Sequence, residues 1–216
     1  MAEYDKLSDM ELASLLSSRI CHDLISPVGA IANGLEVLAE YKDEEMRKIA
    51  FNLIENSAHQ ASVKLQFARL AFGAAGNSGM EISMGDAGDL AKGLIGEGKV
   101  TLSWDAPRDN RPKTEVKLAL NMVLIAMSCI PRGGTVTIDA DASSITATAK
   151  GRKATVPEKT KALLAGETKT AEITAHLIQP YYMLRLLDEA RYRLDMETKQ
   201  EEETVIIKAY STNIPG

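Results

Sequence analysis

His22 is the residue of this chain whose type and setting are best suited to chemistry. A helix turns by about 100° per residue, so a helix drawn through this segment places His22 opposite an apolar stripe. That stripe consists of Ile20, Leu24, Pro27, Ile31, Leu35 and Leu38. The side of the helix that carries the histidine is lined by the small or polar residues Ser26, Gly29 and Asn33. An exposed imidazole in such a cleared space can attack an electrophile, so we predict that His22 is a nucleophile.

Cys21 adjoins His22 and is a second group with reactive potential. Neighbouring residues on a helix point about 100° apart, so we expect Cys21 to pack at the edge of the core as a free thiol. Cys129 falls in a strongly apolar helical pattern and carries the same expectation of burial. Two cysteines are too few for a disulfide framework.

The helix that carries His22 is predicted together with its ends. Ser8 is a candidate N-cap, and Glu11 would complete a capping box with it. Apolar periodicity runs from about Met10 to Leu38, after which Asp43 can cap a second helix. The apolar residues of that second helix follow a nearly heptad spacing and are Phe51, Ile54, Ala58, Ala61, Leu65, Ala68 and Phe72. We predict a helical hairpin and assign it residues 1–76.

A linker and a partner hairpin are also predicted. The glycines and small residues of segment 73–79 indicate a linker to a second domain, residues 77–216. The first helix carries more apolar residues than one neighbouring helix can cover, the additional ones being Leu12, Leu15, Leu16, Ile25 and Val28. A hairpin from a second copy of the chain would complete a four-helix bundle, so we predict a homodimer.

Residues 77–216 alternate between predicted strands and helices. The predicted strands are Met80–Met84, Lys99–Trp104, Thr135–Asp139, Ser144–Lys150, Arg191–Met196 and Thr204–Tyr210. The predicted helices are Asp86–Gly96, Glu115–Cys129, Glu158–Leu164 and Pro180–Leu187. Helices interspersed with hairpins favour a helical layer on a mixed sheet. The predicted fold class is therefore α+β, with a helical hairpin followed by an α/β sandwich.

Composition excludes several classes of function. The formal net charge of -5 argues against a binder of nucleic acid or of anionic membranes, because both need a dense basic surface. No apolar run approaches the length of a membrane span, and the first residues lack the basic start and apolar core of a signal peptide. We therefore expect a cytoplasmic protein that binds neither nucleic acid nor membrane.

Two segments resemble parts of a histidine kinase. The run from His22 to Pro27 resembles the H-box, in which an acidic residue follows the phosphorylated histidine and a proline lies further along. Residues 118–126 and 131–138 resemble the N-box helix and the next strand of the kinase ATP-binding domain. The order and spacing of hairpin and α/β domain also agree, so the likeness covers nearly the whole chain.

The chain departs from that family where nucleotide is bound. Ile125 occupies the position of the second N-box asparagine, and an alkyl side chain cannot ligate magnesium. Residues 150–154 replace the loop that reads adenine and contain no aspartate. No glycine-rich phosphate loop lies between Gly151 and Gly166. These departures predict a degenerate ATPase-like domain that does not bind ATP.

An H-box hairpin on a degenerate ATPase-like domain is similar to the ChpT-type histidine phosphotransferases of bacterial phosphorelays. The resemblance implies a homodimer whose histidine accepts a phosphoryl group from the receiver-domain aspartate of a hybrid sensor kinase. The histidine then passes the group to response-regulator receiver domains, typically of the cell cycle. It implies no cofactor or metal of the chain's own, since receiver domains bring their own Mg²⁺.

The resemblance also implies roles for the residues around His22. His22 would accept and donate the phosphoryl group, and Asp23 would orient its ring or act as a base. The candidates for contact with phosphoryl oxygens or with a partner are Arg19, Ser26, Gly29 and Asn33. His59 and His176 lack a comparable setting, and we interpret both as ordinary histidines.

Two other functions remain open at this point. One is an ATP-dependent histidine kinase with an atypical pocket, which would autophosphorylate. The other is a non-catalytic dimeric scaffold in which His22 is incidental, and in which His22→Ala would leave partner regulation intact.

Overall fold

The computed structural model describes residues 6–73, 81–96 and 98–212. Its first part is the predicted hairpin, formed by α1 (Asp9–Glu40) and α2 (Glu44–Ala71). The predicted boundary between residues 76 and 77 lies outside the described residues.

The ends of both hairpin helices follow from their capping residues. The side chain of Ser8 accepts a hydrogen bond from the amide of Glu11, whose carboxylate accepts one from the amide of Ser8. This is the predicted capping box. Asp43 likewise accepts from the amide of Met46 and caps α2. These side chains satisfy amide groups that a helix leaves free at its start.

Small residues allow the two hairpin helices to approach closely. Gly34 is buried on α1, and a Cβ atom added there would lie 2.6 Å from Cγ1 of Ile54. The buried residues of α2 include Ala50, Ser57, Ala61 and Ala68. Because so little space separates Gly34 from α2, a larger residue at this position would displace Ile54 or push the helices apart.

The second part is an α+β layer structure, as predicted. Its helices are α3 (Met84–Ile95), α4 (Lys113–Cys129), α5 (Glu158–Leu164) and α6 (Ile178–Ala190), with one 3₁₀ turn at Thr170–Glu172. Its strands are β1 (Glu81–Ser83), β2 (Val100–Trp104), β3 (Asn110–Pro112), β4 (Gly134–Ala140), β5 (Ser144–Lys150), β6 (Tyr192–Lys199) and β7 (Thr204–Ser211).

Five strands form one sheet in the order β2-β4-β5-β7-β6. The β2–β4 pair is parallel and the other three pairs are antiparallel, while β1 and β3 form a separate two-stranded antiparallel sheet. Alternate residues of the central strands are buried, among them Val136, Ile138, Ile145, Ala147, Val205 and Ile207. Helices α3, α4 and α6 pack against the sheet, and α4 supplies much of the core.

Several predicted features differ from the structure. Helix α3 begins at Met84 rather than at Asp86, because Ser83 accepts a hydrogen bond from the Asp86 amide and caps the helix earlier. The sequence analysis missed β3 and the 3₁₀ turn, which are three residues each. Cys21 is exposed rather than packed at the core edge, since it lies on a face of α1 that α2 does not cover. Cys129 is buried as predicted, and burial raises the pKa of its thiol to about 11.

Contacts at the start of α1 and at the end of α2 fix the hairpin to the second part of the chain. The amide of Leu7 donates to the hydroxyl of Tyr181 over 2.8 Å, and Lys6 forms an ion pair with Asp188. At the end of α2, the carbonyl of Ala71 accepts from the side-chain amide of Asn121. The two parts therefore hold a defined relative position around the site described next.

Candidate functional site

His22 presents its imidazole to solvent in the middle of α1. Its side chain is 68% exposed, and its Nδ1 lies 3.4 Å from Oδ1 of Asp23. In the neutral tautomer that carries its hydrogen on Nδ1, the ring points this hydrogen toward the carboxylate. The lone pair on Nε2 is then free to attack a group that approaches from solvent.

Asp23 links His22 to Arg19. The Nε of Arg19 donates to Oδ2 of Asp23 over 2.8 Å, while the other carboxylate oxygen faces His22. Both side chains are partly exposed, so the pair adds little to stability. Its effect is orientation, because the guanidinium fixes the carboxylate that in turn faces the imidazole. The structure thus directs Arg19 to Asp23, and its contact with phosphoryl oxygens stays a prediction.

Lys64 is a residue of the site that the sequence analysis missed. A helical amide donates to the carbonyl four residues earlier, but Pro27 has no amide hydrogen and leaves the carbonyl of Asp23 without a helical donor. The Nζ of Lys64, on α2, donates to this carbonyl over 3.1 Å. The signal was available in part, since a proline four residues after Asp23 predicts an orphaned carbonyl there. The sequence could not show that Lys64 is the donor to this carbonyl.

The surface beyond His22 is open, as predicted. Ser26, Gly29 and Asn33 are exposed, and a Cβ atom added at Gly29 would meet no atom within 4 Å. A second protein could therefore approach the imidazole along this face of α1. The contact roles of these three residues remain predictions.

His176, which the sequence led us to interpret as an ordinary histidine, lies against His22 in the structure. Its ring centroid lies 5.8 Å from that of His22, and the two ring planes are nearly perpendicular at 81°. His176 precedes α6, so the second part of the chain reaches His22. The two residues are far apart in sequence, and no spacing pattern connects them.

On α4, the helix that resembles the N-box, the polar residue Asn121 is buried. Ile125 is 1% exposed and belongs to the core. Nδ2 of Asn121 donates to the carbonyls of Ala71 and Lys117, over 3.2 and 2.9 Å. Nε2 of Gln179 donates to the side-chain and backbone oxygens of Asn121, over 3.2 and 3.0 Å. Because its amide is satisfied by protein groups, Asn121 joins α2, α4 and α6 as a buried clasp.

A second polar group reinforces the same junction. The ammonium of Lys117 donates to the hydroxyl of Tyr182 over 3.1 Å, and burial lowers the pKa of Lys117. The Tyr182 hydroxyl donates to the carbonyl of Phe72, and burial raises the pKa of Tyr182 to about 12. The rings of Phe72 and Tyr182 also meet edge to face, with centroids 5.7 Å apart.

The segment that replaces the adenine-reading loop is a closed turn. The amide of Gly151 donates to the carbonyl of Glu203, and the amide of Ala154 donates to the carbonyl of Gly151. The amide of Lys153 donates to the Glu203 carboxylate over 3.1 Å. These amides are used within the protein.

The described part of the chain has neither a membrane-spanning helix nor a cluster of potential metal ligands. None of its helices combines the length and the hydrophobicity that crossing a membrane requires. Residues 6–73, 81–96 and 98–212 contain no group of three or more His, Cys, Asp or Glu side chains arranged to hold a metal ion.

Comparisons with known proteins agree on one family. A family model described as "Histidine phosphotransferase C-terminal domain" matches residues 84–202. Protein phosphotransferase ChpT of Brucella abortus (strain 2308) is 44% identical over 200 residues, which are 91% of this chain and 94% of that protein.

One solved structure agrees with these relatives, and a second is a more distant match. The structure of a bacterial phosphotransferase matches with a TM-score of 0.85 and 42% identity, over 95% of this chain and 98% of that one. A histidine kinase domain from Erythrobacter litoralis matches with a TM-score of 0.47 and 15% identity, over 84% and 94% of the two chains. From the family match, the identity and the shared fold, the chain belongs to the ChpT-type histidine phosphotransferases.

Proposed function

We propose that this protein is the histidine phosphotransferase of a bacterial phosphorelay. His22 accepts a phosphoryl group from the receiver-domain aspartate of a hybrid sensor kinase and passes it to response-regulator receiver domains. The observation that supports this proposal most directly is the exposed imidazole of His22, whose Nδ1 faces Asp23 and whose approach face is open.

The transfer step follows from that geometry. The Nε2 lone pair of His22 attacks the phosphorus of the aspartyl phosphate, the bond between phosphorus and the aspartyl oxygen breaks, and the aspartate leaves as a carboxylate. The ring keeps its Nδ1 hydrogen and therefore gains positive charge. The carboxylate of Asp23 offsets this charge, as an orienting acid does for a catalytic imidazole. Donation to the next receiver is the same step in reverse.

We propose that the chain uses no nucleotide and no metal of its own. Charge on the transferring phosphoryl oxygens is neutralised by the Mg²⁺ that the receiver domain brings. The buried Ile125, the clasp at Asn121 and the closed turn at Gly151 support the absence of ATP use. The protein then draws its phosphoryl groups from other proteins.

We further propose that the protein acts as a cytoplasmic homodimer. Large apolar side chains are exposed on both helices of the hairpin, including Ile25 and Val28 on α1 and Phe51 and Leu65 on α2. A second hairpin packed against these rows forms a four-helix bundle and leaves the His22 face free. Response regulators of the cell cycle are the receivers that we expect to dock there.

The proposal is tested with a panel of phosphorylated receiver domains. We expect at least one receiver to transfer an acid-labile, base-stable label to the wild-type protein. His22→Ala abolishes the label, whereas His59→Ala, which removes an exposed imidazole of α2, retains it. Label that arises from ATP instead would favour the kinase. If no receiver yields label and His22→Ala leaves partner regulation unchanged, the protein is a scaffold.

Asp23 provides a graded test of the same mechanism. Asp23→Asn keeps the size of the side chain but removes the charge that opposes the developing imidazolium. We expect the transfer rate constant to fall by about 10²-fold, within the range for orienting and acid–base groups. Rapid-quench measurement of label on His22 gives the rate. An Asp23→Asn protein that transfers at the wild-type rate contradicts this role.

A further inference from the structure

The second part of the chain contributes an imidazole to the surroundings of His22. The centroid separation of 5.8 Å and the interplanar angle of 81° between His22 and His176 define an edge-to-face contact. Aromatic pairs prefer this arrangement at separations of about 4.5–7 Å. Nothing in the phosphotransfer step as derived above requires this second ring, so its place beside the nucleophile calls for an explanation.

The backbone around His176 is held firmly although its ring is exposed. Ile173 and Ile178, on either side of it, are buried. The amide of Leu177 donates to the carbonyl of Thr174 over 2.9 Å and closes a turn around the histidine. Gln179, in the first turn of α6, is anchored on Asn121. Buried neighbours and α6 therefore fix the point from which the His176 side chain reaches α1.

The ring of His22 has weak restraints of its own. Its side chain is 68% exposed, and its contact with Asp23 is 3.4 Å long, which is beyond the usual range of a strong hydrogen bond. The terminal torsion of a histidine is broad and roughly two-fold, and a half turn exchanges the positions of Nδ1 and Cδ2 and those of Nε2 and Cε1. After such a turn a C–H group faces Asp23 in place of Nδ1, and the attacking lone pair on Nε2 is misplaced.

We propose that His176 is a positioning residue for His22. The perpendicular ring of His176 restricts rotation of the His22 imidazole and, together with Asp23, keeps Nδ1 toward the carboxylate and Nε2 toward the incoming phosphorus. This inference rests on the proposed phosphotransfer function and adds a role for the degenerate ATPase-like domain. That domain completes the site of the hairpin with a side chain.

The test compares three substitutions at residue 176. His176→Ala removes the ring, His176→Phe keeps an aromatic ring without nitrogens, and His176→Gln keeps polarity without a ring. Transfer from a phosphorylated receiver is measured as kcat and KM separately. We expect His176→Ala and His176→Gln to lower kcat by about three- to tenfold, the scale of one aromatic pair. His176→Phe stays within about twofold of wild type, and KM changes little.

A spectroscopic measurement on the protein alone tests the same inference without a receiver domain. The ¹⁵N shifts of the His22 ring give the fraction of the neutral imidazole that carries its hydrogen on Nδ1. We expect His176→Ala to lower this fraction and His176→Phe to preserve it. Thermal unfolding confirms that all three variants are folded, and His59→Ala is the matched control for loss of an exposed imidazole.

Several outcomes overturn the inference. It fails if His176→Ala transfers at the wild-type kcat, or if only KM rises, since His176 would then contact the receiver and not His22. It also fails if His176→Phe is as slow as His176→Ala, because the ring would not be the active feature. In each of these cases the label on wild-type protein and its loss in His22→Ala still support phosphotransfer. Absence of label on wild-type protein contradicts the underlying function instead.

Discussion

The hairpin and the second part of the chain differ in what they leave uncovered. Among the residues that the structure describes, the exposed large hydrophobic side chains all lie in segment 10–65, and they are Met10, Ile25, Val28, Leu35, Tyr41, Met46, Ile49, Phe51, Leu53 and Leu65. Within the described residues 81–96 and 98–212, no large hydrophobic side chain is exposed to this degree. The second part closes its own core, and the hairpin does not.

This difference indicates two different roles for the two parts of the chain. The hairpin exposes the groups that we propose act on other chains, namely the His22 imidazole and the apolar rows beside it. In the second part, the polar residues of α4 bind other protein groups, and Ile125 lies in the core. A large exposed apolar surface indicates association, whereas a fully satisfied buried clasp indicates a structural role.

We expect the largest effect from a charged residue on the apolar face of the hairpin, which should weaken dimerisation. Phe51→Glu places an unpaired carboxylate in the proposed dimer interface, and two-fold symmetry introduces it twice. We expect the dissociation constant of the homodimer to rise by more than about 10²-fold, which corresponds to about 2.7 kcal/mol or more. Sedimentation equilibrium over a range of concentrations measures this change.

Gln60→Glu is the matched control for charge, because Gln60 is an exposed polar residue of the same helix. This control should dissociate like wild type. A wild-type protein that stays monomeric at all concentrations, or a Phe51→Glu protein that stays dimeric, would show that the uncovered rows are not a dimer interface.

A smaller effect, on thermal stability, should distinguish the buried Asn121 from the exposed Asn33. Asn121→Ala leaves the Ala71 carbonyl without its side-chain donor and leaves the Gln179 amide only the backbone carbonyl of residue 121. A buried polar group that loses its partner costs about 1–3 kcal/mol. We expect the midpoint of thermal unfolding to fall by about 5–10 °C. Asn33→Ala, on the open face of α1, should change stability by less than about 0.5 kcal/mol. Equal midpoints for the two variants would contradict the clasp.

Features that depend on residues close together in the sequence could be predicted from the sequence. The capping box of Ser8 and Glu11, the cap at Asp43 and the bounds of α5 depend on local hydrogen bonds and local pattern, and the structure confirms them. The family of the chain followed from the motif at His22 together with Ile125, and the comparisons confirm it.

Features that join distant segments were not predictable in the same way. The meeting of His22 with His176 depends on how two parts of the chain pack, and no local pattern encodes it. The exposure of Cys21 has a related cause, because helical periodicity identifies an apolar face without saying whether this chain or another covers it. The donor to the Asp23 carbonyl, Lys64, lies on a different helix from the proline that makes it necessary.

The smallest expected effect concerns that lysine and is best measured as a double-mutant cycle. Lys64→Met keeps the aliphatic stem but leaves the Asp23 carbonyl without a donor, at a cost of about 1 kcal/mol. Pro27→Ala restores a backbone amide that can donate to the same carbonyl. Lys64→Met should therefore cost less in the Pro27→Ala background, with a coupling free energy of about 0.5–1 kcal/mol from chemical denaturation. Lys48→Met, at an exposed lysine of α2, should cost the same in both backgrounds. If Lys64→Met also costs the same in both, Lys64 does not replace the hydrogen bond that Pro27 removes, and its place beside Asp23 has another origin.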